Sequence, residues 1–160
     1  MSDALVFLEL QLPDEDATLD FGAKLAAALL DSEPEQVLLF SGDLGAGKTT
    51  LVRGLVAALP GGGEARVSSP SFNLMNLYPT EPATAHFDLY RLEGLASDDS
   101  LLEHMQDPQT LVLVEWAQYL RQEDWPEEYL LLEWQPCCIG RTILLTAKGK
   151  KAKQTLLALA

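Results

Sequence analysis

One octapeptide, Gly42-Asp43-Leu44-Gly45-Ala46-Gly47-Lys48-Thr49, restricts this chain more than any other feature. The spacing of Gly42, Gly47, Lys48 and Thr49 is that of a phosphate-binding loop set between a strand and a helix. Its glycines let the backbone bend tightly and turn N–H groups inward as an anion nest. A helix starting near Lys48 adds its N-terminal dipole and free N–H groups. Lys48 then reaches the β- and γ-phosphates as a point charge, and the Thr49 hydroxyl faces Mg²⁺. Average residue frequencies produce the pattern by accident in roughly one chain of this length in two hundred. Here a buried apolar strand, Val37-Leu38-Leu39-Phe40, leads in and a helical segment leads out. That is the setting the loop requires.

The rest of the chain is expected to build an α/β domain around this unit. Residues 4–12 read as a first strand, 13–16 as a turn with helix-capping character, and 18–30 as an amphipathic helix with Phe21, Leu25 and Leu29 on one stripe. Residues 36–41 form the buried strand and 48–59 the helix after the loop, stopped by Pro60-Gly61-Gly62-Gly63. Residues 67–72 are a Ser/Pro loop. Residues 73–78 and 83–90 read as an antiparallel pair, 100–105 as a short helix and 111–116 as a second buried strand. Residues 129–135 and 141–147 are a closing strand pair, and 151–159 a terminal helix. The predicted fold is a three-layer P-loop nucleotide-binding fold. Its mixed, mainly parallel sheet is flanked by helices, in one domain over 1–160.

Composition narrows the function classes. Hydrophobic residues make up 48% and charged residues 22% of 160, the balance of an ordinary globule with a sizeable core. No apolar run approaches the length of a membrane span, and Met1-Ser2-Asp3-Ala4 lacks the basic start of a signal peptide, so the cytoplasm is the expected location. The adjacent Cys137 and Cys138 cannot close a useful disulfide loop. The net charge of −13 makes bare nucleic acid a poor partner for the chain as a whole. Lys148, Lys150, Lys151 and Lys153 are the exception, read as a solvated helix face or as a contact for RNA or an acidic partner.

Mg²⁺ needs a second anchor, usually an acid at the end of a neighbouring strand. Two residues fit. Glu115 follows Leu111-Val112-Leu113-Val114. Asp88 lies in a strand where Phe87 and Leu89 face one side, and His86, Asp88 and Tyr90 the other. The serines of 67–72 stand where switch elements of P-loop proteins sit. No Asn-Lys-x-Asp motif supports a GTPase. A small-metabolite kinase fits by size, but the five arginines are scattered and no lid-like insertion is evident.

The P-loop followed by Thr50 and Arg53-Gly54, then Ser69-Pro70-Ser71-Phe72, then His86-Phe87-Asp88-Leu89-Tyr90-Arg91-Leu92, then Glu115-Trp116, resembles the TsaE (YjeE) family. The likeness runs in order from about Pro13 to Arg141. It implies the ATPase of bacterial tRNA threonylcarbamoyladenosine biosynthesis, dependent on TsaD and TsaB, with tRNA held indirectly through that complex. By this resemblance Gly45, Ala46, Gly47, Lys48, Thr49 and Thr50 bind ATP phosphates with Gly42, and Thr49 and Glu115 hold Mg²⁺. Asp88 positions the metal or the attacking water, and Trp116 acts beside Glu115. Glu15 and Arg141 lie near the nucleotide. Ser71 stands where the family usually has Thr and keeps a hydroxyl. A metabolite kinase and a nucleotide-gated binding module are the competing readings.

Overall fold

The computed structural model describes residues 5–43, 45–70, 72–136 and 140–160. The expectations for Met1–Ala4, Leu44, Ser71, Cys137 and Cys138 lie outside them. A seven-stranded sheet has the order β1-β7-β6-β2-β5-β4-β3. The strands are β1 (Val6–Leu12), β2 (Val37–Ser41), β3 (Met75–Tyr78), β4 (Ala83–Asp88), β5 (Thr110–Glu115), β6 (Tyr129–Gln135) and β7 (Arg141–Lys148). The central strands β6, β2, β5 and β4 are mutually parallel; β7 and β3 run against them, and β1 pairs antiparallel with β7.

Helices α1 (Glu15–Asp31), α2 (Lys48–Ala58) and α4 (Lys150–Leu159) cover one face, and α3 (Asp99–Gln106) packs on the other. The sequence dictates both layers through the period-2 pleat. Leu38 and Phe40 of β2 and Leu111 and Leu113 of β5 pack under α1 and α2. Val37, Leu39, Val112 and Val114 point the other way, towards Leu101 of α3. This is the three-layer, mixed, mainly parallel fold expected from the sequence.

Element ends depart from the sequence reading for local reasons. Helix α1 begins at Glu15 because Asp14 caps it, its carboxylate accepting from Ala17 N–H at 2.8 Å. Strand β3 starts at Met75, since Leu74 takes a left-handed φ of 66°. Strand β4 ends at Asp88 rather than Tyr90, because the Asp88 carboxylate accepts from Tyr90 N–H at 2.8 Å and turns the chain into a 3₁₀ turn over Tyr90–Leu92. Strand β5 ends at Glu115, since Trp116 has φ 60° and leaves the ladder.

Helices α1 and α2 touch backbone to backbone. A Cβ on Gly54 would lie 2.4 Å from the Leu19 carbonyl oxygen, and one on Gly22 would lie 2.6 Å from that of Leu51. No rotamer change relieves such a clash. Gly54→Ala is therefore expected to destabilise the fold by about 1–3 kcal/mol, despite alanine's higher helix propensity. Thermal unfolding should show a Tm lower by roughly 2–10 °C. An unchanged Tm would mean that the helices separate freely.

Candidate active site

The loop after β2 reaches the N-terminus of α2 through Gly47, whose φ of 108° only glycine adopts readily. A side chain there would also meet the Arg141 guanidinium, with Nε 2.8 Å from the position of a Cβ. The cleft beyond it, about 450 Å³, is lined by Gly45 through Thr50 on one side. Asp88, Glu115, Trp116 and Arg141 complete it, with Ser69, Tyr90 and Arg91. Gly42 stands behind the loop, its carbonyl accepting from Lys48 Nζ at 2.8 Å and from Gln118 Nε2 at 3.1 Å. Glu15 is an exposed residue of the first turn of α1 and does not line the cleft.

The sheet delivers the acids. In the β4–β5 register Asp88 lies opposite Glu115 and His86 opposite Leu113. All four side chains share the face covered by α2, so both strands present a carboxylate to the loop at their C-terminal ends. Glu115 is 2% exposed and Asp88 5%. Buried carboxylates need partners, and both have them. Thr49 Oγ1 donates to Glu115 Oε1 at 2.9 Å. His86 Nε2 meets Glu115 Oε2 at 2.5 Å, and Tyr78 Oη meets His86 Nδ1 at 2.9 Å. Ser69 Oγ donates to Asp88 Oδ2, tying the 65–70 loop to the site.

Lys48 is also enclosed. Its ammonium donates to the carbonyls of Gly42 and Asp43, at 2.8 and 2.7 Å, and lies 4.2 Å from the centre of the Trp116 ring. Burial pushes its pKa below the ordinary lysine value of 10.5, while Glu115, Asp88 and Asp43 pull it back up. Trp116 packs between Tyr119, stacked with centroids 5.5 Å apart, and Tyr90 at 4.8 Å. Arg141 Nε donates to the Ala46 carbonyl at 2.6 Å, pinning the loop from β7.

The sequence reading brought Asp88, Glu115, Trp116, Lys48 and Arg141 forward, and the structure gathers them. The sequence puts His86 on the Asp88 face of a strand and Tyr78 at the end of the strand paired with it, and gives neither a role. Two of the scattered arginines, Arg91 and Arg141, converge on the cleft. A larger cavity of about 560 Å³ lies at the opposite ends of β2, β5 and β6, with Glu35, Asp107, Glu123, Asp124, Glu127 and Glu128 in its wall. Such a wall repels phosphate. The lysines of 148–153 lie towards that end too, with Lys151 paired to Glu33 at 3.2 Å and Lys148 5.9 Å from the Tyr129 ring centre.

The loop fits a nucleoside triphosphate with Mg²⁺. Backbone nest, helix terminus and Lys48 face one space, and a hydroxyl and a carboxylate, both hard oxygen donors, meet at its wall. Among the described residues no three His, Cys, Asp or Glu side chains form a metal cluster. Mg²⁺ commonly needs only one or two protein oxygens beside phosphate and water. Among the described residues no helix is long and apolar enough to cross a membrane.

Comparison with known proteins identifies the family. The family model described as threonylcarbamoyl adenosine biosynthesis protein TsaE matches residues 12–143. The tRNA threonylcarbamoyladenosine biosynthesis protein TsaE of Haemophilus influenzae is 37% identical over 115 residues, covering 67% of this chain and 69% of that protein. Its namesake in Bacillus subtilis is 40% identical over 109 residues, covering 68% and 65%. The one in Synechocystis is 37% identical over 120 residues, covering 72% and 73%. The crystal structure of YdiB from Bacillus subtilis superposes with a TM-score of 0.77 at 29% identity, over 99% of this chain and 97% of that one. With the P-loop, the strand-end acids and this match over most of its length, the chain belongs to the TsaE family.

Proposed function

We propose that this protein serves tRNA threonylcarbamoyladenosine biosynthesis as a Mg²⁺-dependent ATP hydrolase driven by its partners. The pathway is the one for which its relatives are named. Hydrolysis rests chiefly on one observation, the 2.9 Å contact between Thr49 Oγ1 and Glu115 Oε1 at the mouth of the phosphate loop. Thr49 and Glu115 would hold Mg²⁺, which when bound supplies charge neutralisation at the β- and γ-phosphates. Lys48 turns from its two carbonyls to the phosphates. Asp88, held by Ser69, orients the attacking water, and Trp116 covers Lys48 and limits solvent. The smaller cavity of about 290 Å³ beyond Ala46, bounded by Trp134 and Arg141, gives room for the nucleoside end.

TsaD and TsaB are the proposed partners, and the cytoplasm the proposed location. The net charge of −13 favours a division of labour in which those partners hold the tRNA. ATP hydrolysis then resets the complex between turnovers. In a reconstituted system, Thr49→Ala is expected to leave the first round of tRNA modification intact and to stop subsequent rounds. Phosphate release by the native protein should rise when TsaD and TsaB are added. Multiple turnover unaffected by Thr49→Ala would refute the resetting role. Phosphate transfer from ATP to a small metabolite would favour a kinase instead.

A further inference from the structure

Glu115 is the end of a buried relay that starts on β3, two strands away. Tyr78 is 5% exposed, in β3; His86 is fully buried, in β4; Glu115 is in β5; and Thr49 opens α2. The contacts run 2.9 Å from Tyr78 Oη to His86 Nδ1, 2.5 Å from His86 Nε2 to Glu115 Oε2, and 2.9 Å from Thr49 Oγ1 to Glu115 Oε1. An ionised carboxylate only accepts, so His86 Nε2 must carry a hydrogen. On the other side of the ring, Nδ1 is held by the Tyr78 hydroxyl. Thr49 holds one carboxylate oxygen and His86 the other, and the His86 ring cannot rotate without losing two partners.

We infer that His86 is a positioning residue for the metal-facing carboxylate. It fixes the rotamer of Glu115 so that the remaining lone pairs face the space beside Thr49, and Tyr78 fixes His86. The inference rests on the reading of Thr49 and Glu115 as the Mg²⁺-facing pair. A carboxylate free to rotate would have to be ordered each time the metal binds, whereas hydrogen-bonded partners behind a metal ligand commonly account for 10- to 100-fold in metal affinity. The Ser68 carbonyl lies 3.4 Å from Tyr78 Oη, and Asn76 Nδ2 holds that same carbonyl at 3.1 Å. The relay thus also abuts the loop that ties Ser69 to Asp88.

Binding of a non-hydrolysable ATP analogue, measured by calorimetry in MgCl₂ and again in EDTA, isolates this role. His86→Leu is expected to weaken binding in MgCl₂ by about 10- to 100-fold and to leave binding in EDTA within about twofold. Tyr78→Phe removes one hydroxyl and keeps the ring. It should weaken the MgCl₂ value alone by roughly fivefold, the scale of one neutral hydrogen bond. His86→Gln, which keeps an amide N–H near the position of Nε2, should recover most of the loss. The protein has two histidines, so a slowly exchanging ring N–H signal in the NMR spectrum of the nucleotide-free protein can be assigned to His86. It should disappear or shift in Glu115→Gln. Equal losses in both conditions, or no loss in MgCl₂, would overturn the positioning role. If His86→Leu does not fold, Tyr78→Phe and the ring proton decide. Equal affinity of the native protein in MgCl₂ and EDTA would overturn the metal reading itself, and this inference with it.

Discussion

Glu115→Gln is expected to lower Mg²⁺-dependent ATP turnover by about 10²- to 10³-fold, the scale seen when one fixed electrostatic group is taken from a preorganised site. The substitution preserves volume, so the strand end keeps its packing. What changes is the donor and acceptor pattern. Glu115 accepts from Thr49 on one oxygen and faces His86 on the other. A glutamine presents only one acceptor oxygen, so it can no longer accept from both Thr49 and His86. The negative charge opposite the phosphate loop also disappears, and with it the strongest attraction for a divalent cation. Nucleotide binding without Mg²⁺ should persist, because the nest, the α2 N-terminus and Lys48 are untouched. Phosphate release in MgCl₂ and analogue binding in EDTA, measured on the same preparation, test the two halves. A turnover loss below about threefold would remove Glu115 from the metal site.

The parts of this site that the sequence revealed are those governed by local rules. The phosphate loop is contiguous, and Leu111-Val112-Leu113-Val114 reads as a buried strand that ends in the acid Glu115, while the face under α2 came only with the packing. Strand alternation placed His86 beside Asp88. Their meaning depends on long-range pairing. Only the parallel β4–β5 register sets Asp88 opposite Glu115, and only the antiparallel return of β3 brings Tyr78 to His86. The antiparallel pairing of the two strands was legible from the turn between them, but neither its register nor the parallel β4–β5 pairing has a signature within one strand. Arg91 and Arg141 looked scattered because they stand fifty residues apart in the chain, yet a 3₁₀ turn after β4 and the first residue of β7 carry both to the cleft. The end of β4 was misread because Tyr90 fits the strand pattern. The Asp88 side chain, competing for backbone N–H groups, overrode that pattern. Glu15 remains the residue for which the cleft geometry supplies no contact.

Lys48→Met should separate binding from stability. Nucleotide affinity is expected to fall by at least ~100-fold, or ~3 kcal/mol, within the range for truncating one member of a desolvated charge pair. The nucleotide-free protein should respond differently. Lys48 is 4% exposed, and burial lowers its pKa below 10.5, the opposing pull of Glu115, Asp88 and Asp43 notwithstanding. The folded state therefore binds fewer protons than the unfolded chain between the lowered value and 10.5. In that window the stability of the native protein rises with pH; below it the full cost of holding a buried ammonium is present. Methionine has no such dependence. The difference in Tm, native minus Lys48→Met, should accordingly move in favour of the native protein as pH is raised from 7 towards 10.5. A difference flat with pH would show that the two loop carbonyls and the Trp116 ring already offset the burial of the charge. Saturating nucleotide should suppress the slope, because phosphate oxygens around Nζ favour the ammonium and push its pKa back up. The residue proposed to make the loop a phosphate site is thus expected to be held at some cost to the stability of the free fold, a cost that nucleotide binding should relieve.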